Sequence, residues 1–230
     1  MFKNTSKGLA TRETILDTAL GQFRDRGFDH TTMRDIAAGA ELSLGAAYHY
    51  FESKEAIVMA YYDRIQAEHA RVVERDLDRT ASVRRRLGLV IHSKLDLVAK
   101  DARLLGALLR FAGDPNHPLS FFGPATRRLR VESVALFASA LRGERLPRDL
   151  ESLTPLSFWA LQMGLLLYAV YDRSPGLAKT HRLADGALDL ATSLLKVVRL
   201  APLAPIRRRL AGLIDEAGFL DHRHLAAKEV

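Results

Sequence analysis

Three helix-start signals crowd into a short stretch of this chain, and they leave little freedom in what it can fold into. "HTTMRDIAAGA" offers Thr31 or Thr32 as an N-cap, with Asp35 three residues after Thr32 in capping-box position. Ser43 then precedes "LGAAYHY", and Ser53 precedes "KEAIVMAYYDRIQAEHARVVERDL". A hydroxyl at such a place accepts one of the backbone N–H groups that a first helical turn leaves unpaired. Caps this close together predict a helix of barely two turns, a tight turn, another short helix to about His49, and then one long helix. Upstream, Ile15, Leu16, Ala19, Leu20 and Phe23 recur at helical spacing, and Arg24 and Arg26 precede Gly27, so a first helix ends there.

No later segment alternates convincingly at period two, whereas helical periods continue through 83–111, 124–142, 153–172 and 180–200. Pro and Gly in "AGDPNHPLSFFGP", "RGERLPRD" and "DRSPGLAK" separate them. The expected fold is all-α: an N-terminal three-helix helix-turn-helix domain over 1–55, joined by the long helix to an all-helical domain over 56–205, then a basic helix and tail over 206–230. Leu153 to Tyr171 carries no charge and approaches the length of a membrane span. Thr154, Pro155, Ser157, Gln162 and Gly164 interrupt it, so it reads as a helix with one side on the core and the other on a partner subunit, not as a membrane segment.

With no cysteine, disulfides, Cys-ligated zinc and thiol nucleophiles are excluded. The start lacks the apolar run of a secretory signal, and a cytoplasmic location is expected. The net charge of +7 does not by itself mark a nucleic-acid surface, because residues 1–65 hold 8 Lys/Arg against 9 Asp/Glu. Catalysis is not expected: there is no G-x-S-x-G and no phosphate-binding glycine loop, and none of the eight histidines has a matching partner, so no metal, cofactor or catalytic residue is assigned.

Two short helices joined by a tight turn can set the second in the major groove of DNA. At helical spacing Leu44, Gly45, Tyr48 and His49 share an outer face, while Ala47, Tyr50 and Phe51 turn toward the first helix. Tyr48 and His49 can donate to phosphates or base edges, and Gly45 and Ala46 let the helix approach closely. Lys54, in the first turn of the long helix, completes a phosphate clamp.

The run "TTMRDIAAGAELSLGAAYHYFESKEAI" resembles the DNA-binding signature of the tetracycline-repressor (TetR-type) family of transcriptional regulators, over about residues 10 to 60. The resemblance implies a three-helix reading head before a connecting helix, with an all-α ligand-binding and dimerisation domain beyond. Carried over by position, it makes Thr32 and Arg34 phosphate or base contacts, and Ser43, Leu44, Gly45, Ala46, Tyr48, His49 and Lys54 the rest of the surface. Two departures stand out. The turn glycine usual in the family is Glu41 here, with Gly39 two positions earlier, and Leu44 and Ala46 replace residues that are often polar.

The function expected is that of a dimeric repressor that binds double-stranded DNA at an inverted repeat and is released by a small hydrophobic or amphipathic ligand. Phe111, Phe137, Phe158, Trp159, Gln162, Met163 and Tyr168 are the candidate ligand-binding residues, with Asn116 and His117 as further polar anchors. The helices at 153–172 and 180–200 are expected to pair with their two-fold mates, Leu183, Leu190, Leu194 and Val197 among the contacts. The alternative is a membrane-surface or scaffold protein using the basic stretches at 83–88 and 206–214.

Overall fold

The computed structural model describes residues 6–114 and 116–216, and those residues form α-helices and short 3-10 turns with no strand among them. Helix α1 (Ser6–Arg26) stops at Gly27, whose φ of 90° puts it in the left-handed region that closes a helix. Helices α2 (Met33–Gly39), α3 (Leu44–Tyr50) and α4 (Lys54–Asp76) begin at Thr32, Ser43 and Ser53, each hydroxyl accepting a backbone N–H from three residues on. Of the two candidate caps for α2, Thr32 serves. Thr31 is fully buried and its hydroxyl instead donates to the Gly27 carbonyl at 2.9 Å.

The period expected over 83–111 is split. Helix α5 (Val83–Val98) gives way to a 3-10 turn, Ala99–Asp101, before α6 (Ala102–Leu109). The break lets Asp101 drop into a fully buried site, where Arg24 Nε donates to one carboxylate oxygen at 2.5 Å and the Tyr61 hydroxyl to the other at 2.7 Å. Next come α7 (Arg127–Ala140), the single turn α8 (Arg148–Glu151), α9 (Leu153–Ala169), α10 (Ala178–Val198) and α11 (Ala204–Glu216). Pro155 lies in the first turn of α9, where its missing N–H costs no helical hydrogen bond.

Two apolar clusters hold these helices. The first joins α1, α2, α3 and the start of α4, and it takes in Leu104, Leu108 and Leu119 from further along the chain. The second joins α5, α7, α9 and α10 through Leu87, Ile91, Phe137, Phe158, Leu165 and Leu188. Helix α6 belongs to both, because Leu105 faces the second cluster while Leu104 and Leu108 face the first. The N-terminal unit is further tied to the body by Arg110 on Asp29 and by the contact of Phe28 with Phe111, ring centres 5.9 Å apart.

The uncharged helix α9 has two faces. Phe158, Trp159, Gln162, Leu165, Leu166 and Ala169 point into the body, while Ser157, Ala160, Gly164, Leu167 and Tyr168 run along the outside, followed by the exposed Tyr171 in the turn beyond the helix. Helix α10 likewise shows Leu183, Leu190, Leu194 and Val197 outward, exposed by 47% to 70%. Among the described residues no helix is long and apolar enough to cross a membrane.

Replacing Asp101 by Ala leaves the Tyr61 hydroxyl buried without an acceptor and frees Arg24, so the expected loss of stability is ~2–3 kcal/mol. Tyr61→Phe keeps the Arg24 contact and should cost about 1 kcal/mol. Urea unfolding of the two variants checks the order, and equal midpoints would remove Asp101 from its place as the latch.

Candidate functional site

The α2–turn–α3 unit is fixed at both ends of α2 and at the start of α3. Thr32 and Asp35 close a full capping box: Thr32 N–H donates to Asp35 Oδ2 at 2.8 Å, and Asp35 N–H to the Thr32 hydroxyl at 3.2 Å. The Thr32 hydroxyl, and then its N–H, both donating to Asp35 Oδ2, hold the Asp35 carboxyl below the usual carboxylate range. At the other end, Leu42 N–H bonds the Ala37 carbonyl at 2.9 Å and Glu41 N–H bonds Ala38 at 3.1 Å, the paired bonds of a Schellman motif. The residue in the left-handed position is Glu41, with φ of 57°. The turn therefore keeps the geometry that glycine normally supplies, at the steric cost of a side chain. Gly39 serves close packing: a Cβ there would come within 2.5 Å of Gln22 Nε2 and 2.8 Å of Thr18 Cγ2 on α1. The same Gln22 amide donates to the Asp35 carbonyl at 3.0 Å.

Helix α3 divides as its spacing predicts. Leu44, Gly45, Tyr48 and His49 are exposed with Ser43, Ala46 and Tyr50 are half-buried, and Ala47 and Phe51 are buried. Thr32 and Arg34 are exposed on the neighbouring α2 end, and Arg34 forms no ion pair among the described residues. The Ser43 hydroxyl is occupied by Ala46 N–H at 3.1 Å, and the ring of His49 meets Tyr50 edge-on. Lys54 is half-buried. Its ammonium donates to the Phe28 carbonyl at 2.7 Å and lies 4.4 Å from the centre of the Phe28 ring, so part of its charge is turned toward the protein.

A second feature lies in the body, a pocket of about 650 Å³ including its open mouth, between α4, α5, α6, α7 and α9. Its apolar wall is Val98, Leu105, Phe121, Leu129, Trp159, Met163 and Leu166, and its polar groups are Tyr61, Tyr62, Gln66, Lys94, Thr126, Arg130 and Ser133. Burial pushes the Lys94 ammonium down to about 7 and both phenols up. His69, also buried, is pushed down to about 3 by burial and by Lys94, and its Nε2 lies 2.8 Å from the Val90 carbonyl.

Of the ligand-binding residues expected from sequence, this pocket gathers Trp159 and Met163. Phe137 and Phe158 stack on each other in the body core, ring centres 6.2 Å apart, because both lie on inward faces of α7 and α9 away from the cavity. Gln162 is fully buried outside the lining, and Tyr168 is on the outer face of α9 with 39% exposure. Phe111 packs at the junction of head and body, stacked on His117 with centres 4.0 Å apart. Gln66, Lys94 and Ser133 were missed. Lys94 had a readable signal: it occupies the apolar stripe of α5, four residues from both Val90 and Val98.

Half of the six arginines in the two basic stretches are tied to acidic partners within the body. Arg84 pairs with Asp185 and Asp189; Arg86 bonds the Arg142 carbonyl and Glu144; Arg207 bonds Asp149 and the carbonyls of Val198 and Leu200. The "DHRH" run at 221–224 lies outside the described residues.

Glu41→Gly is expected to raise stability by roughly 0.5–1 kcal/mol, the left-handed penalty of a side chain less the flexibility glycine adds to the unfolded chain. Gly39→Ala should lower it by ~1–2 kcal/mol through overpacking against α1. Urea melts of both variants test the assignment, which fails if the two substitutions shift stability in the same direction.

Comparison with known proteins agrees with this geometry. Residues 15–61 match the family model described as bacterial regulatory proteins, tetR family. The chain is 34% identical over 84 residues to the HTH-type transcriptional repressor KstR2 of Rhodococcus jostii, a match spanning 35% of this chain and 41% of that protein. The chain thus spans under half the length of this curated relative. A TetR transcriptional regulator from Nitrosomonas europaea shares the fold at a TM-score of 0.64 and 20% identity, over 79% of this chain and 97% of that one. The transcriptional regulator FadR of Bacillus subtilis, in complex with stearoyl-CoA, does so at 0.62 and 19%, over 78% and 96%. The head, residues 15–61, thus matches the tetR family of bacterial regulatory proteins, and the chain as a whole shares the fold of solved TetR-type regulators.

Proposed function

We propose that this protein is a dimeric transcriptional repressor that holds an inverted-repeat DNA site and releases it when a small apolar or amphipathic ligand enters the body pocket. The observation that carries the reading is the outer face of α3: Leu44, Gly45, Tyr48 and His49 stand exposed on a short helix capped by the Ser43 hydroxyl. Exposed apolar and aromatic groups on so rigid a support suit the major groove, with Leu44 and Ala46 reading thymine methyls and Tyr48 and His49 reaching phosphates or base edges. Thr32, Arg34 and Ser43 flank that face, and Lys54 adds a phosphate contact through the donors not given to Phe28. On this reading residues 1–55 are the DNA-binding domain and 56–205 the ligand-binding and dimerisation domain.

The outward apolar faces of α9 and α10 support pairing with a second copy, since a monomer would leave Leu167, Tyr171, Leu190 and Leu194 in water. The pocket supports the ligand. Tyr61, Tyr62 and Gln66 place its wall on α4, the helix that carries the head, and Leu105 places it on α6, whose Leu104 and Leu108 sit in the head's own core. A ligand that spreads these walls moves the two heads off the half-site spacing of about 34–36 Å or its multiple. A protein of the same fold, the B. subtilis FadR, is seen with stearoyl-CoA, which supports an apolar body for the ligand.

Selection from a random duplex pool with the full chain is expected to return inverted repeats, and recovery of unrelated sequences would overturn the reading. Leu194 is 60% exposed, so Leu194→Asp should fold normally yet carry an unpaired charge into the dimer face, costing ~3–5 kcal/mol of association. Sedimentation should then show monomers that hold the selected duplex far more weakly. Tyr48→Ala should weaken binding to every selected site to a similar degree, as phosphate contacts do.

A further inference from the structure

Inside the pocket, hydrogen-bond donors outnumber the acceptors that could satisfy them. Lys94 is 7% exposed, and among the described residues its ammonium has one hydrogen-bond partner, Gln66 Oε1 at 3.2 Å, and no carboxylate in an ion pair with it. The Ser133 hydroxyl donates to the same Gln66 oxygen at 2.8 Å, so that acceptor is already shared. Gln66 Nε2, on a residue 4% exposed, is buried without a partner, and so is the hydroxyl of Tyr62 one helical turn earlier on α4. Both residues line the cavity with Lys94. A buried amide or hydroxyl left unpaired is costly, and a buried cation without a counter-charge more so. What is missing at this end of the pocket is an acceptor with negative charge.

We propose that the polar end of the pocket receives the carboxylate of an amphiphile, paired with the Lys94 ammonium and accepting hydrogen bonds from Gln66 Nε2 and the Tyr62 hydroxyl, while Val98, Leu105, Trp159 and Met163 enclose its apolar body. This rests on the pocket being the effector site proposed above and specifies the chemistry of the effector. One ammonium and two further donors match the single charge and two oxygens of a carboxylate. The titratable groups facing Lys94 agree. His69 and the two tyrosines of α4 are neutral at pH 7, and Arg130 of α7 has Nη1 on the Phe121 carbonyl, 2.7 Å away. Helices α6 and α9 line the cavity with Leu105, Trp159, Met163 and Leu166, none of which titrates. Because burial pushes Lys94 down to about 7, a bound carboxylate restores its charged form, so binding draws in a proton above that pH and weakens as pH rises further.

Trp159, the only tryptophan of the chain, lines the cavity and reports occupancy by its fluorescence. Decanoate, methyl decanoate, decanol and decylamine share an alkyl chain and differ in the head. Decanoate is expected to bind at least tenfold more tightly than the other three at pH 7. Lys94→Met should abolish that preference, and Tyr62→Phe should weaken decanoate several-fold. Calorimetry at pH 8 in two buffers of different ionisation enthalpy should show proton uptake approaching one per decanoate and none with decanol. Circular dichroism checks the folding of both variants, and the comparison of heads on the unmutated protein stands whether or not Lys94→Met folds. Equal affinity for decanoate and its methyl ester, or a preference that survives Lys94→Met, overturns the carboxylate site and leaves the regulator reading intact. If none of the four binds, the carboxylate site and the effector pocket are both overturned.

Discussion

The structure turns on a buried carboxylate. Asp101 has no exposure to solvent, and a charge in that position is tolerable because Arg24 of α1 and Tyr61 of α4 both donate to it. The contact raises the pKa of Arg24, and burial together with the contact raises that of Tyr61. It also fixes the segment on which Asp101 sits. Val98, three residues before, and Leu105, four after, line the pocket, while Leu104 and Leu108 enter the apolar core of the head. The pocket wall and the core of the head thus meet at side chains only one residue apart on α6. The edge-on contact of Phe28 with Phe111, the stacking of Phe111 on His117 and the ion pair of Arg110 with Asp29 hold the next turn of the same segment.

The head resists deformation for a different reason. Its two short helices are too brief to be stable alone, and each is closed by side-chain and backbone bonds to the groups a helix end leaves free. The Schellman bonds at 37–42 keep the turn in place even though Glu41 occupies a position better suited to glycine. Gly39 has a separate task, admitting α1 against the helix end. The departure of this turn from the usual pattern changes its energy more than its shape.

The basic surplus of the chain looks different once its partners are known. Several arginines of the body hold helix ends and neighbouring helices together, as Arg86 and Arg199 do through Glu144, and Arg207 through Asp149. Net charge is a sum over such roles, and it says little about where a polyanion would lie.

The local features of this protein were legible in its sequence. N-caps, the end of α1 at Gly27, the inward and outward faces of α3 and the two-faced, uncharged α9 all depend on residues within four positions of each other, so spacing alone fixes them. The break between α5 and α6 was not legible, because what stabilises it is the fit of Asp101 to Arg24 and Tyr61, 77 and 40 residues away along the chain. The pocket was hidden for the same reason. Phe137 and Phe158 resemble Trp159 and Met163 as apolar residues of long helices, and only the way α4, α5, α7 and α9 meet decides which of them fill the core and which face a cavity. Gln66, Lys94 and Ser133 come from three helices, and their convergence exists only once burial has driven those helices together. Periodicity assigns each side chain to a face of its own helix, while the identity of its neighbours is settled by tertiary packing.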